Sequence, residues 1–211
     1  MKPIVVGRRA YDLMYRMWVP WDAVGVRPEL RRLVEDGSLT PSTHPRALDL
    51  GCGTGANAVF LADRGFDVTA VDFSTVALAK AAQRARRDAA AGVSLRFVEA
   101  DLTSADLPTL AGGPFDLLVD ASTLDDLAPA GRAALADHLA RLARPGAVLL
   151  CWCFYAARAT LPRVSFTGPS RVTPGIEPGE EQTLFGEAFD IEIIRPPDSN
   201  HEACLLLRRR P

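Results

Sequence analysis

The chain has 211 residues, of which 48% are hydrophobic and 24% charged. That length and balance fit one globular domain and exclude a disordered chain or a disulfide-packed mini-protein. Lys+Arg number 24 against Asp+Glu 26, a net charge of -2, so no basic footprint for nucleic acid or an anionic membrane is expected.

In chain order, residues 8–18 fit a helix with Tyr11, Met14, Tyr15 and Trp18 at i, i+3, i+4, i+7. Residues 28–36 fit a second helix, opened by Pro28 and stopped by Gly37. Strand signals follow at 47–50, 67–71, 94–98, 115–119 and 147–154, separated by helical patterns at 54–64, 74–91 and 129–143. Ser74 is the expected N-cap of the 74–91 helix. The run from Ala147 to Phe154 is almost continuously apolar, as a strand covered on both faces is. A long Pro- and Gly-rich stretch, 156–187, has room for one short helix near 180–185. Two more strands follow, at 189–194 and 202–207. This alternation predicts an α/β fold: a Rossmann-like, doubly wound, mostly parallel seven-stranded sheet with helices on both faces. It divides into an N-terminal helical lid (1–45), a binding core (46–155) and a segment holding a long loop and the last two strands (156–211).

No apolar run reaches the roughly 18–20 residues of a membrane helix, and the N-terminus lacks a signal-peptide core, so a cytoplasmic location is expected. Four cysteines (52, 151, 153, 204) form no C-x-x-C pair and three histidines are scattered, so no metal is expected. Cys151 and Cys153 share one strand face and read as buried hydrophobes.

The chemistry concentrates at Asp49-Leu-Gly51-Cys-Gly53-Thr-Gly55, a glycine turn between the first strand and its helix. Glycines there let a ligand approach the backbone closely. Asp72 ends the second strand, 21 positions after Gly51, where an acid takes both ribose hydroxyls. Glu99-Ala100-Asp101 ends the third. Acids at three successive strand ends suit a ligand with a cationic group, a ribose and an adenine amine. They oppose a dinucleotide, whose pyrophosphate they would repel.

Together with Phe115-Asp-Leu-Leu-Val-Asp120 and Arg144-Pro-Gly-Ala147, these motifs resemble, in order, those of class I S-adenosylmethionine-dependent methyltransferases. The resemblance covers about residues 45–155. It implies that Asp49 faces the methionine ammonium and that Gly51, Gly53 and Gly55 pass beneath methionine and ribose. Asp72 takes the ribose hydroxyls, Phe73 packs on adenine, and Asp101 accepts from the adenine amine beside the Leu102 backbone. Asp120 neighbours the reacting methyl.

Pro20-Trp21-Asp22, Pro28-Glu29-Leu30 and Gly37 are similar to the tellurite-resistance, thiopurine and halide/thiol group. That group implies a small acceptor under an N-terminal lid, without nucleic-acid or membrane partners, in a monomer or homodimer. Methyl transfer to O, N or S of an aromatic or heterocyclic molecule is expected. A thiol, halide or tellurite acceptor, or a non-catalytic binder, is the alternative. Many relatives carry histidine at one or both of positions 125 and 126; here they are Asp125 and Asp126, carboxylates that could hold an acceptor proton or cap the next helix. Catalytic candidates are Asp120, Asp125 and Tyr15. Open parallel sheets bind beyond the carboxyl ends of their strands. The acceptor is therefore expected over strands four and five, among Tyr11, Tyr15, Trp18, Trp21, Ser122, Thr123, Phe154, Tyr155, Phe166 and Arg171. His138 and the Arg208-Arg209-Arg210 tail are expected to be uninvolved, the tail solvated.

Overall fold

A computed structural model describes residues 7–17, 19–164, 170–171, 175–195 and 201–211. The chain opens with α1 (Arg8–Met17), a 3-10 turn (Pro20–Val24) and α2 (Pro28–Glu35). The alternating core follows: β1 (Arg46–Leu50), α3 (Ala56–Asp63), β2 (Asp67–Asp72), α4 (Thr75–Asp88), β3 (Leu95–Glu99), α5 (Leu107–Ala111), β4 (Phe115–Ala121), α6 (Pro129–Leu142) and β5 (Ala143–Phe154). The last elements are α7 (Glu180–Phe185), β6 (Phe189–Ile194) and β7 (Glu202–Arg209).

The seven strands run in the order β3-β2-β1-β4-β5-β7-β6, with β7 antiparallel between β5 and β6 and the other neighbours parallel. The order turns back on either side of β1 and β4, which leaves a crevice at their carboxyl ends. The sheet is buried on both faces. Leu48, Leu118, Leu149 and Cys151 pack towards Leu135 and Leu139 of α6, whereas Ala47, Leu117, Val119 and Leu150 pack towards Leu30 of α2 and Leu61 of α3. Two-sided covering explains why β5 is apolar throughout rather than alternating.

Ser74 caps α4 as expected, its hydroxyl accepting from the Ala77 N–H at 3.1 Å. Two expectations change. β5 starts at Ala143, four residues early, because Arg144-Pro145-Gly146 forms an extended bulge with Gly146 at φ 81°. The basic tail is solvated at Arg208 and Arg210, as expected, but it is part of the sheet rather than a free end. Arg208 and Arg209 belong to β7, Arg209 lies over the Phe189 ring, and Arg210 pairs with Asp190 at 2.8 Å. All four cysteines are buried and free. No described helix is long and apolar enough to cross a membrane.

Candidate active site

The turn leaving β1 needs three left-handed residues, and glycine supplies each: Gly51 at φ 60°, Gly53 at 54° and Gly55 at 82°. A Cβ on Gly51 would overlap the Thr123 hydroxyl, and one on Gly53 would stand 2.9 Å from the Tyr15 hydroxyl. Gly55 does different work: its Cβ would meet Ala81 at 2.9 Å, so it lets α3 and α4 pack closely. At the foot of the turn Asp49 is 1% exposed, and its Oδ2 has no hydrogen-bond partner among the described residues. Burial pushes its carboxyl up to about 8.

Asp72, closing β2, ties the turn together. Its Oδ2 accepts from Gly53 N–H at 2.9 Å and its Oδ1 from Ser74 N–H at 2.8 Å. Both contacts lie at the same sheet edge as Asp49, because β1 and β2 pair in parallel register with Leu50 beside Val71. Past β3, Asp101 is exposed and accepts from Thr103 N–H and Oγ1 at 2.8 and 2.7 Å. Leu102 is buried, and its carbonyl contacts His138 Nδ1 at 3.2 Å, which accounts for that histidine as a packed residue.

The end of β4 is the most concentrated group of acids. Asp120 is buried and accepts from Thr123 and Leu124 N–H at 3.0 to 3.3 Å. Ser122 stands at φ 65°, a conformation unusual outside glycine, and its N–H donates to the Trp152 carbonyl of β5 at 2.7 Å. Asp125 and Asp126 do not cap α6, whose N-cap is Ala128 with no side-chain hydrogen bond. Instead Asp125 is 6% exposed, with Oδ2 accepting from Phe154 N–H at 2.9 Å and Oδ1 unpartnered among the described residues. Arg132 of α6 fixes this segment, donating to the Asp125 carbonyl at 2.8 Å while pairing with Glu180. Burial raises Asp120 to about 7 and Asp125 to about 8, the latter helped by the neighbouring Asp126.

α1 lies across these strand ends. Tyr15 is buried with its hydroxyl beside Gly53, and the Tyr11 ring sits 5.5 Å from Phe73. The Tyr11 hydroxyl donates to Asp126, Ser74 Oγ donates to Asp12 at 2.5 Å, and Arg8 pairs with Glu99. The following 3-10 turn is fastened by Asp22, which accepts from Thr54 Oγ1 and from Arg84 at 3.1 Å. The apolar part of this seat is small: Tyr15, Val19 and Ala77, with Tyr11 and Val76 beside them.

The structure therefore brings together Asp49, Gly51, Gly53, Asp72, Phe73, Asp120, Ser122, Thr123, Asp125, Tyr11 and Tyr15. It does not bring Tyr155 or Arg171 to them. Tyr155 shares the face of Cys151 and Cys153, is 2% exposed among Ile176 and Phe185, and is held up to about 12 by burial and its bond to Glu181. Arg171 is exposed and donates to the carbonyls of Leu161 and Ala159 at 3.0 and 2.9 Å, stapling that loop. Trp18, Phe166 and the side chain of Trp21 lie outside the described residues. Sequence reasoning missed Arg27, whose guanidinium lies 3.8 Å over the Trp152 ring and faces Asp125, Glu29 and Asp120. No cluster of metal-ligating side chains occurs among the described residues.

Residues 47–146 match the family described as "Methyltransferase domain". The 2-heptyl-1-hydroxyquinolin-4(1H)-one methyltransferase of Mycobacteroides abscessus is 30% identical over 179 residues, 84% of this chain and 71% of that protein. The release factor glutamine methyltransferase of Chlorobaculum tepidum is 41% identical over 127 residues, 54% of this chain and 42% of that one. The chain thus spans about half the length of several curated relatives it matches. Among solved structures, one from work on conversion of a disulfide bond into a thioacetal group during echinomycin biosynthesis superposes with TM-score 0.71 at 24% identity, covering 96% of this chain and 91% of that one. The N-methyltransferase NodS of Bradyrhizobium japonicum, in complex with S-adenosyl-L-homocysteine, gives TM-score 0.68 at 20% identity, covering 97% and 98%. These structural likenesses are likenesses of fold.

Proposed function

The chain belongs to the class I S-adenosylmethionine-dependent methyltransferases, and from that premise we propose that it methylates an O, N or S atom of a small aromatic or heterocyclic acceptor. The observation that carries this reading is the buried, half-partnered Asp49 beneath a turn whose glycines leave no room for side chains. Ligand-free, Asp49 avoids the cost of a buried charge by holding its proton up to about 8; ionised, its orphaned oxygen calls for a cation. The cofactor's ammonium supplies one, and the acids at the ends of β2 and β3 suit its ribose and adenine amine.

In this reading Asp49, Gly51 and Gly53 hold the amino-acid end and Asp72 holds the ribose. Phe73 flanks the adenine, with Asp101 and the Leu102 backbone at its edge. When bound, the cofactor supplies an electrophilic methyl that already carries its leaving group. The protein's task is then alignment and exclusion of water. Tyr11 and Tyr15 cover the site and Asp120 borders it. Asp125 keeps a free oxygen and is raised to about 8, so its ionised form, which fills in as pH approaches that value, can take the proton of a hydroxyl or thiol acceptor held in the same group. α1 must lift to admit ligand, because Tyr15 stands on Gly53.

A planar acceptor is supported by the ring-lined cover and by the relative named for a hydroxyquinolone. The narrower likeness to tellurite-resistance, thiopurine and halide/thiol enzymes rests on a few N-terminal residues, and the wider family carries the proposal. The test is turnover with a methyl-labelled cofactor against hydroxylated quinolines, phenols, aromatic amines and thiols. Label in one of these supports the reading. Label only in peptide or oligonucleotide would reject the acceptor class.

A further inference from the structure

Two routes connect Asp125 to the returning end of the long loop, residues 175–180. The first runs through Arg132. In a continuing helix the Asp125 carbonyl would accept from the residue four positions on, but that residue is Pro129, which has no N–H. Arg132, at the end of the first turn of α6, takes its place and donates Nη2 to that carbonyl at 2.8 Å. Its Nη1 reaches the other way, to both Glu180 oxygens at 2.8 and 3.0 Å. The Glu180 carboxylate also accepts from the Glu177 N–H at 3.1 Å, which closes the turn ahead of α7. The second route runs through Phe154. Its N–H donates to Asp125 Oδ2 at 2.9 Å, and its carbonyl accepts from the Ile176 N–H at 2.8 Å. Gly175 permits that approach, since a Cβ there would stand 2.5 Å from the Phe154 carbonyl oxygen. The two routes take up the Asp125 carbonyl and Oδ2 and leave Oδ1 buried and unpartnered among the described residues. The Arg132 side chain is itself 7% exposed. An ion pair that only joined α6 to α7 would not need a second arm on the segment before α6.

We propose that Arg132 is a positioning residue: with Glu180 it forms a strut that fixes Asp125 relative to the loop, so that Oδ1 meets the acceptor and takes its proton. The inference rests on the acceptor reading above. The acceptor's O–H proton passes to Oδ1, and the electron pair of that bond stays on oxygen for the new bond to methyl. The other charged or titratable groups facing Asp125 are Asp126, Asp120, Arg27 and, through Asp126, the Tyr11 hydroxyl. Among the described residues none of these bonds to Asp125, so its placement is left to Arg132 and the Phe154 N–H.

The test uses the full chain with two acceptors of one shape, phenol and thiophenol, at about pH 8.5, where thiophenol has already lost its proton and phenol has not. Arg132→Gln combined with Glu180→Gln exchanges the ion pair for a neutral amide pair and leaves no charge buried alone. Circular dichroism checks that it folds. This variant should lower kcat for phenol about tenfold or more, with KM for phenol and kcat for thiophenol each within about threefold. Added to Asp125→Asn, it should cost no further activity on phenol, because both act on one proton. In the ligand-free protein, amide exchange at Phe154 and across residues 124–127 should quicken about tenfold, with β1 and β2 unchanged. Should the variant not fold, Arg132→Lys keeps the charge without the guanidinium's two-armed reach and must show the same phenol-selective loss. Equal losses on phenol and thiophenol, additive losses with Asp125→Asn, or unchanged exchange at Phe154 each overturn the strut. So does a wild type that labels neither acceptor. Label in other small molecules would then spare the wider acceptor reading, and label in none would end both.

Discussion

The hydroxyl of Tyr11 on α1 donates to the carboxylate of Asp126 beyond β4, joining two residues 115 positions apart. This bond fastens the N-terminal cover to the loop that carries Asp120 and Asp125. Burial is the main cause that raises the Tyr11 hydroxyl well above its ordinary range, with the Asp126 charge adding to it, so it stays a donor at any working pH. Tyr11→Phe removes the donor and keeps the ring on Phe73. A hydrogen bond to a charged group contributes about 1.5–3 kcal/mol. Amide exchange across residues 8–17 should therefore quicken, while exchange in β1 and β4 is unchanged. Unaltered exchange in α1 would show that its other contacts hold it unaided.

Gly53→Ala tests the turn from beneath. A non-glycine residue at φ 54° costs roughly 1–2 kcal/mol, and the new Cβ would stand 2.9 Å from the Tyr15 hydroxyl. The melting temperature should drop by several degrees, and S-adenosylhomocysteine affinity should fall more than tenfold. Wild-type affinity would mean that ligand does not lie on this glycine.

Stability should depend on pH in an unusual direction. Asp49, Asp120 and Asp125 retain protons in the folded chain up to about 8, 7 and 8, whereas unfolded aspartates release theirs near 4. Between those values the folded state binds more protons than the unfolded one. Its stability is then fully present below about pH 4 and lost as pH rises through 7 to 8. Thermal melts of the ligand-free protein should show a midpoint falling from pH 5 to pH 8.5, with a shallower fall in Asp125→Asn. A midpoint that rises over that interval would contradict the burial argument.

The strand positions and the glycine turn were legible because both rest on short-range signals: apolar runs of strand length, and closely spaced glycines between a strand and a helix; the order β3-β2-β1-β4-β5-β7-β6 came only with the structure. The acids at strand ends were legible for the same reason. α5 was not, since five residues containing Pro108 show no helical period. Tyr155 was misplaced although its parity was readable: Cys151, Cys153 and Tyr155 must share a face, and that face packs on α7. Arg27 carried no signal, because a single arginine before a proline looks like any helix start. Only the tertiary pairing of α2 with β5 puts it on Trp152. Asp125 read from the sequence either as a group for the acceptor's proton or as a cap of α6; the cap is excluded only because β5 presents the Phe154 N–H to it and Ala128 takes the N-cap position.

Tyr15→Ala separates the two roles of the cover. Tyr15 touches the turn through its hydroxyl and packs with Val19 and Ala77. Its loss should depress turnover of a confirmed acceptor about tenfold or more, with cofactor affinity kept within a few-fold. Normal turnover would remove Tyr15 from the acceptor's surroundings.

A nucleoside lying against the carboxyl ends of β1 and β2 must meet Asp72 with its ribose. Asp72 already accepts one N–H on each oxygen, which orients the carboxylate and leaves further lone pairs to receive the hydroxyls. The most direct measurement is calorimetric titration of S-adenosylhomocysteine into the wild type and into folded Asp72→Ala. Loss of hydrogen bonds to a charged acceptor should cost roughly 2–4 kcal/mol, about 30- to 1000-fold in affinity. Wild-type binding reduced to that extent in Asp72→Ala is the result the account predicts; an unchanged dissociation constant would contradict it.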